Sequence, residues 1–228
     1  MLALHRRLAE IGLQATAGYG FVLAGGYALS ANGLGDRPSV DVDLFTNIPD
    51  PDRFAEATQR LRAGLLDSGL LVDELRVRPT FVDLRVSDPL TGECSDLQLG
   101  LDYRQYPPAQ LAIGPVLDVR DAVASKMSAL WSRGEARDYI DIDTVVESGR
   151  FTREEVLRLG DEVEVTAMDR RVLAARFRQA GRHDPSVYAG YAVDPGRREL
   201  IVARFAQWAD VIDPPTAGPG GVSGQVAP

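Results

Sequence analysis

The sequence predicts an α/β fold: an N-terminal mixed sheet with flanking helices, followed by an α-helical C-terminal region. Three observations predict it. From Leu70 to Tyr103 apolar and polar residues alternate with a period of two, the pattern of half-buried strands. From Val119 onward the apolar residues recur at helical spacing instead. Ahead of both, residues 20–45 (GFVLAGGYALSANGLGDRPSVDVDLF) read as strand, glycine pair, short helix, loop and second strand.

The elements follow in order. Leu2, Leu4, Leu8, Ile11 and Leu13 form a helical stripe over residues 2–16. Residues 20–24 make a short buried strand, and Gly26 to Asn32 a short helix that ends at Asn32-Gly33 and Gly35. The loop Gly35-Asp36-Arg37-Pro38-Ser39 feeds the strand Asp41-Val42-Asp43-Leu44-Phe45. Residues 52–67 form an amphipathic helix with Phe54, Ala57, Leu61, Leu65 and Leu66 inward. Leu71 to Val77, Thr80 to Val86 and Cys94 to Leu101 are strands, the last two joined by Asp88-Pro89-Leu90-Thr91-Gly92. Helices are expected at 119–133, 136–148, 152–160, 167–180 and 194–212. The Pro/Gly-rich residues 213–228 read as a disordered tail. The organisation is an α/β domain over 1–115, a helical domain over 116–212, and that tail.

Composition narrows the function. The chain has 228 residues, 45% hydrophobic and 25% charged, enough to bury a sizeable core. No apolar run approaches the ~20 residues of a membrane span, and the charged N-terminus is unlike a secretory signal. A single cysteine, Cys94, excludes an intrachain disulfide and a cysteine zinc site. The expected location is therefore a reducing cytoplasm. With only His5 and His183, a histidine-rich metal site is excluded too. The net charge of −8 argues against a surface that grips nucleic acid throughout, but leaves room for a local basic channel.

The chemistry centres on residues 20–45. Side chains alternate along a strand, so Asp41 and Asp43 face the same way about 7 Å apart, with Val42 and Leu44 turned into the core. Two such carboxylates repel and lose solvation unless a cation sits between them. Mg²⁺, which takes oxygen ligands, is the natural occupant. Gly25-Gly26, directly after a strand, lets backbone N–H groups approach an anion. A phosphate cradle beside metal carboxylates points to nucleotide chemistry. A second group lies at Lys126, Arg133, Arg137 and Asp141, at offsets 0, 7, 11 and 15. On one unbroken helix these fall on one face, with Val123, Met127, Trp131, Ile140 and Val145 as apolar anchors. Gly134 makes that geometry conditional. Taken alone the stripe reads as an exposed face paired to Glu135 or Asp141; beside the carboxylates it reads as the cations a triphosphate needs.

Gly25-Gly26, Arg37-Pro38-Ser39-x-Asp41-x-Asp43 and Lys126-x6-Arg133-x3-Arg137-Asp138-x2-Asp141 together resemble the AbiEii/MenT nucleotidyltransferase-like toxins, a branch of the DNA polymerase β-type nucleotidyltransferase superfamily. The resemblance covers residues 20–145 and extends to the C-terminal third only in helical character. It implies Asp41 and Asp43 as ligands of Mg²⁺, Lys126 on the triphosphate, Asp141 as a further essential acid and Ser39 at the phosphate edge. Arg37, Arg133 and Arg137 join the phosphate-binding set. It further implies transfer of a nucleotide from an NTP, with CTP or UTP favoured, to the 3′ end of tRNA, blocking translation. A cognate antitoxin is implied as partner, in some members one that phosphorylates the position matching Ser39. Two features depart from the superfamily pattern. Gly26 stands where serine is common, and the third strand carboxylate is not evident; of Asp83, Asp96 and Asp102, the last fits the order of elements best. The rival readings are a small-molecule nucleotidyltransferase of the aminoglycoside-modifying kind and an inactive nucleotide-binding module.

Overall fold

A computed structural model describes residues 1–214. The elements are α1 (Ala3–Ala15), β1 (Val22–Leu23), α2 (Gly25–Ala31), β2 (Asp41–Thr46), α3 (Pro51–Asp67), β3 (Leu71–Arg78), β4 (Phe81–Ser87), β5 (Cys94–Leu101), β6 (Ala109–Leu111) and β7 (Gly114–Val116). Then come α4 (Val119–Ser132), α5 (Ala136–Glu147), α6 (Arg153–Val163), α7 (Arg170–Phe177) with a 3₁₀ turn after it, α8 (Pro185–Ala189) and α9 (Pro195–Ile212). The tail reading lies, from residue 215 on, outside the described residues. Among the described residues no helix is long and apolar enough to cross a membrane.

The seven strands form one mixed sheet in the order β3-β4-β5-β2-β1-β7-β6. β2 lies parallel to β5 and antiparallel to β1. The strict alternation in β2 decides which face is which. Val42 and Leu44 are fully buried, together with Leu84 of β4 and Leu97 of β5. They meet Leu8 of α1 and Leu61 and Leu65 of α3, so α1 and α3 cover this face. Gly12 lets α1 press close, since a Cβ there would lie 2.4 Å from Leu44 Cδ1. Leu66, expected inward, is instead 53% exposed: it falls just outside the apolar arc of α3.

On the opposite face α2 packs against β2 and α4. α4 starts at the N-cap Asp118, whose side chain accepts a bond from Arg120 N–H. Asp121 then ties α4 to the end of the sheet, its carboxylate accepting 2.9 Å bonds from the backbone of Gln105 and Tyr106. Beyond α4 the core continues among the helices, where Tyr139, Phe177, Phe205 and Trp208 pack edge to face, tilted or stacked. The single helical stripe from Lys126 to Asp141 does not exist as one helix. The chain breaks at Arg133-Gly134-Glu135, where Gly134 takes φ +63°, and restarts in α5 with a capping box between Glu135 and Asp138.

Candidate active site

The cleft between β2, the start of α2 and the α4–α5 corner is lined by Gly25, Gly26, Ser39, Asp41, Asp43 and Lys126, together with Arg37, Arg133 and Arg137. Local sequence explains each placement. β2 delivers both carboxylates to the face left open by α1 and α3. Gly25 sits at φ +59°, and a Cβ there would lie 1.8 Å from Asp43 Oδ2, so the carboxylate occupies the space a side chain would need. A Cβ on Gly26 would meet Ser39 Oγ at 3.0 Å and Arg37 Nη2 at 3.3 Å. Ser39 is buried, and its hydroxyl donates to Asp41 Oδ1 at 3.2 Å.

The charges are arranged in two tiers. In the deeper tier the buried Asp141 accepts two bonds from Arg37, through Nε at 2.5 Å and Nη2 at 2.7 Å. Its Oδ2 also lies 3.0 Å from Lys126 Nζ. Burial alone would raise the Asp141 pKa, but Lys126 and Arg37 outweigh it and hold the carboxyl below its ordinary range. Arg37 is further braced over the ring of Tyr191, 5.3 Å from its centroid. In the outer tier Arg133 forms a fork to Asp138. Arg137 reaches toward Asp41, with Nη1 to Oδ2 at 3.7 Å. Arg137 Nε lies 2.9 Å from Glu135 Oε2 yet lacks the alignment of a hydrogen bond, leaving a buried donor unsatisfied in the cleft wall.

The profile of the family described as "Nucleotidyl transferase AbiEii toxin, Type IV TA system" matches residues 6–210. The chain belongs to this family. Membership makes it a nucleotidyltransferase of a toxin–antitoxin system, and implies an NTP substrate and an antitoxin partner. MenT4, a nucleotidyltransferase toxin from Mycobacterium tuberculosis H37Rv, is similar in fold, with TM-score 0.62 and 20% identity over 91% of this chain and 83% of that one. JHP933 from Helicobacter pylori aligns over 92% of this chain and 90% of its own, with TM-score 0.52 and 18% identity. At these identities the likeness is one of fold. No curated protein matches the chain.

Within this AbiEii protein the donor set fits a divalent ion. Asp43 is pushed up to about 6, first by burial and then by Asp41, while Lys126, Arg137 and Arg133 pull the other way. A cation between the two carboxylates would oppose both of the raising effects. Among the described residues no group of three or more metal-ligating side chains exists. Two carboxylates on one strand face are a donor set that holds a divalent ion when substrate phosphates and water complete the shell.

The register corrects the search for a third carboxylate. Asp43 stands opposite Gln98 of β5, so an amide occupies the neighbouring position. Asp102 lies past the far end of β5, where its N–H bonds the Thr46 carbonyl. Thr46 is three residues from Asp43 and five from Asp41, about 10 and 17 Å along the strand. Asp102 therefore cannot join the pair. Asp96 stands opposite Asp41 but is forked to Arg85. Asp83 lies one strand further out, across from Gln98. Gln98, Phe45 and Ser125 line the cleft and were missed in the sequence, because only the strand pairing brings them there.

Proposed function

We propose that this protein is a Mg²⁺-dependent toxin that transfers NMP, with a pyrimidine preferred, from NTP to the 3′ end of tRNA in the cytoplasm and so blocks translation. One observation carries the reading: the paired carboxylates Asp41 and Asp43 face Lys126, Arg133 and Arg137 across one cleft. In this reaction the acceptor 3′-hydroxyl gives its proton to solvent, and its oxygen forms a bond to the α-phosphorus as the bond to pyrophosphate breaks. Bound Mg²⁺ supplies charge stabilisation at the attacking and leaving oxygens, and Asp41 and Asp43 would hold it. Lys126 and the arginines neutralise the triphosphate and the pyrophosphate that leaves. Gly25 and Gly26 keep side chains out of the space beside Asp43 and Ser39. Asp141 acts at one remove: it fixes Arg37 and Lys126. In this reading residues 116–212 form a helical domain that completes a site begun by residues 1–115.

The reading includes a means of silencing. Phosphorylation of Ser39 by the antitoxin would add about −1.5 to −2 charges beside Asp41 and repel the incoming triphosphate. Ser39 is 5% exposed, so modification requires the 33–40 loop to open. Mass spectrometry after co-expression with the antitoxin tests this; an inhibited protein with unmodified Ser39 counts against it.

The deciding experiment incubates the protein with Mg²⁺, total tRNA and each labelled NTP in turn, with an aminoglycoside as competing acceptor. Label in tRNA, strongest with CTP or UTP, is expected. Label in the aminoglycoside alone would replace this reading with the small-molecule one.

A further inference from the structure

On the face that carries Asp41 and Asp43, the outer strands hold a surface that the chemistry above does not use. The packing partners of β3 and β5 are α3 and α1, which lie on the other face. Three residues meet in register across this open face: Phe81 of β4 pairs with Gly100 of β5, and Gly100 pairs with Phe45 of β2. Gly100 brings no side chain, and the two rings close over it. A Cβ there would lie 3.2 Å from Phe45 Cδ1 and Cε1 and 3.8 Å from Phe81 Cδ2. Both phenylalanines remain half-buried. The result is a flat aromatic strip spanning three strands.

Its position matters as much as its shape. The next row of the same face reads Asp83, Gln98, Asp43. The strip thus begins one alternation, about 7 Å, from the carboxylate pair. Phe45 and Gln98 also line the catalytic cleft, so strip and cleft are continuous. At the outer end the exposed Arg76 sets its guanidinium 5.8 Å from the centroid of the Phe81 ring. Arg76 takes part in no ion pair among the described residues, unlike Arg85 beside it, which is forked to Asp96.

We propose that Phe45, Gly100 and Phe81, with Arg76, form the stacking platform that receives the unpaired 3′-terminal bases of the RNA acceptor. This rests on the RNA-transferase reading and extends it to the acceptor subsite. Aromatic faces with an interleaved guanidinium bind single strands because every base offers a π-face and every linkage a negative charge. The strip has a cation at one end and the reacting centre at the other. A flexible single strand can lay its last bases along the strip and still present its 3′-oxygen at Asp41 and Asp43. The strip also gives a protein of net charge −8 a local hold on RNA that does not depend on a basic surface.

The test compares the wild type with Phe81→Leu, Phe81→Tyr and Arg76→Ala. Label transfer to a single-stranded RNA ending in unpaired bases gives separate KM values for RNA and for NTP. Phe81→Leu keeps the apolar volume but loses the stacking face. It should raise KM for RNA roughly 5- to 100-fold and leave KM for NTP unchanged, while Phe81→Tyr stays near wild type. Arg76→Ala, at an exposed site that does not endanger folding, should raise KM for RNA several-fold. A 2-aminopurine at the RNA 3′ end should be quenched on binding to the wild type and less so by Phe81→Leu. Wild-type KM for RNA in both Phe81→Leu and Arg76→Ala would overturn the platform while the transferase reading stands. Wild-type protein that binds Mg²⁺-NTP but labels no RNA would overturn the reading, and the platform with it.

Discussion

Asp141 is the residue whose role the structure changes most. The resemblance makes it a further essential acid, with no partner named. Its two oxygens are taken up by Arg37 and by Lys126, both drawn from other elements. Asp141→Asn would leave two cations in the wall of the cleft without their carboxylate. Breaking such a pair is expected to cost about 3 kcal/mol of stability, and displacement of Lys126 by even 1 Å to lower turnover ~100-fold. Labelling assays across a Mg²⁺ series separate the roles. A positioning residue gives a defect that raised Mg²⁺ does not relieve; relief by Mg²⁺ would show ligation instead. Asp43 makes a prediction of opposite sign. Its carboxyl titrates near 6 in the fold against an ordinary 3.8. The unfolded chain therefore ionises first, and the metal-free protein loses stability from this group as pH rises from about 4 through 6. Asp43→Asn should abolish labelling yet raise the stability of metal-free protein at pH 8 by ~1–3 kcal/mol. Urea unfolding at pH 4.5 and pH 8 checks it: the gain at the lower pH should be only about a third of that at the higher.

At the scale of elements, α2 and β2 are fitted to each other through Gly25. Gly25→Ala places a methyl 1.8 Å from Asp43 Oδ2 and forces φ +59° on a residue that resists it. Labelling should fall at least tenfold, with stability down by ~1–2 kcal/mol; unchanged activity would mean that Asp43 can turn away without loss. How far the elements were legible depends on their length and on what fixed them. β2 and α3 follow from local periodicity, and β4 and β5 from alternation joined by a turn, so their limits agree with the sequence to within a residue or two. β6 and β7 are three residues each, β6 after two prolines and β7 containing one, too short to show a period, and α8 is a five-residue helix inside a connecting segment. The α4–α5 break was visible as Gly134, but its consequence was not. By turning the chain it points Lys126 and Asp141 at each other across a corner rather than along one stripe. Asp102 was misjudged for a related reason, because sequence order gives no strand register, and register is what puts Gln98 beside Asp43. The Arg37–Asp141 fork, 104 residues apart in the chain, left no local trace at all.

For the molecule as a whole, the cleft is shared between the sheet and the helices that follow it. Asp41 and Asp43 come from β2, while Lys126, Arg133 and Arg137 come from α4, α5 and the turn between them. A nucleotide bound there would contact both sides at once, so its binding energy should appear as resistance of the whole chain to unfolding. Metal and triphosphate should also act together. Mg²⁺ alone relieves the repulsion between the carboxylates but leaves Lys126, Arg133 and Arg137 paired only to acids of the cleft wall, and NTP alone brings its phosphates against two carboxylates. Thermal unfolding with Mg²⁺, with NTP and with both should therefore give a shift for the pair larger than the sum of the separate shifts. At ligand 100 times its Kd the gain is about 2.7 kcal/mol, or roughly 5–10 °C for a chain of this size. Asp41→Asn should remove the joint shift, and Lys126→Ala should reduce it to about that of Mg²⁺ alone. Additive shifts in the wild type would mean that the two sides of the cleft do not grip one ligand between them, and the assignment of Lys126 to the triphosphate would fall.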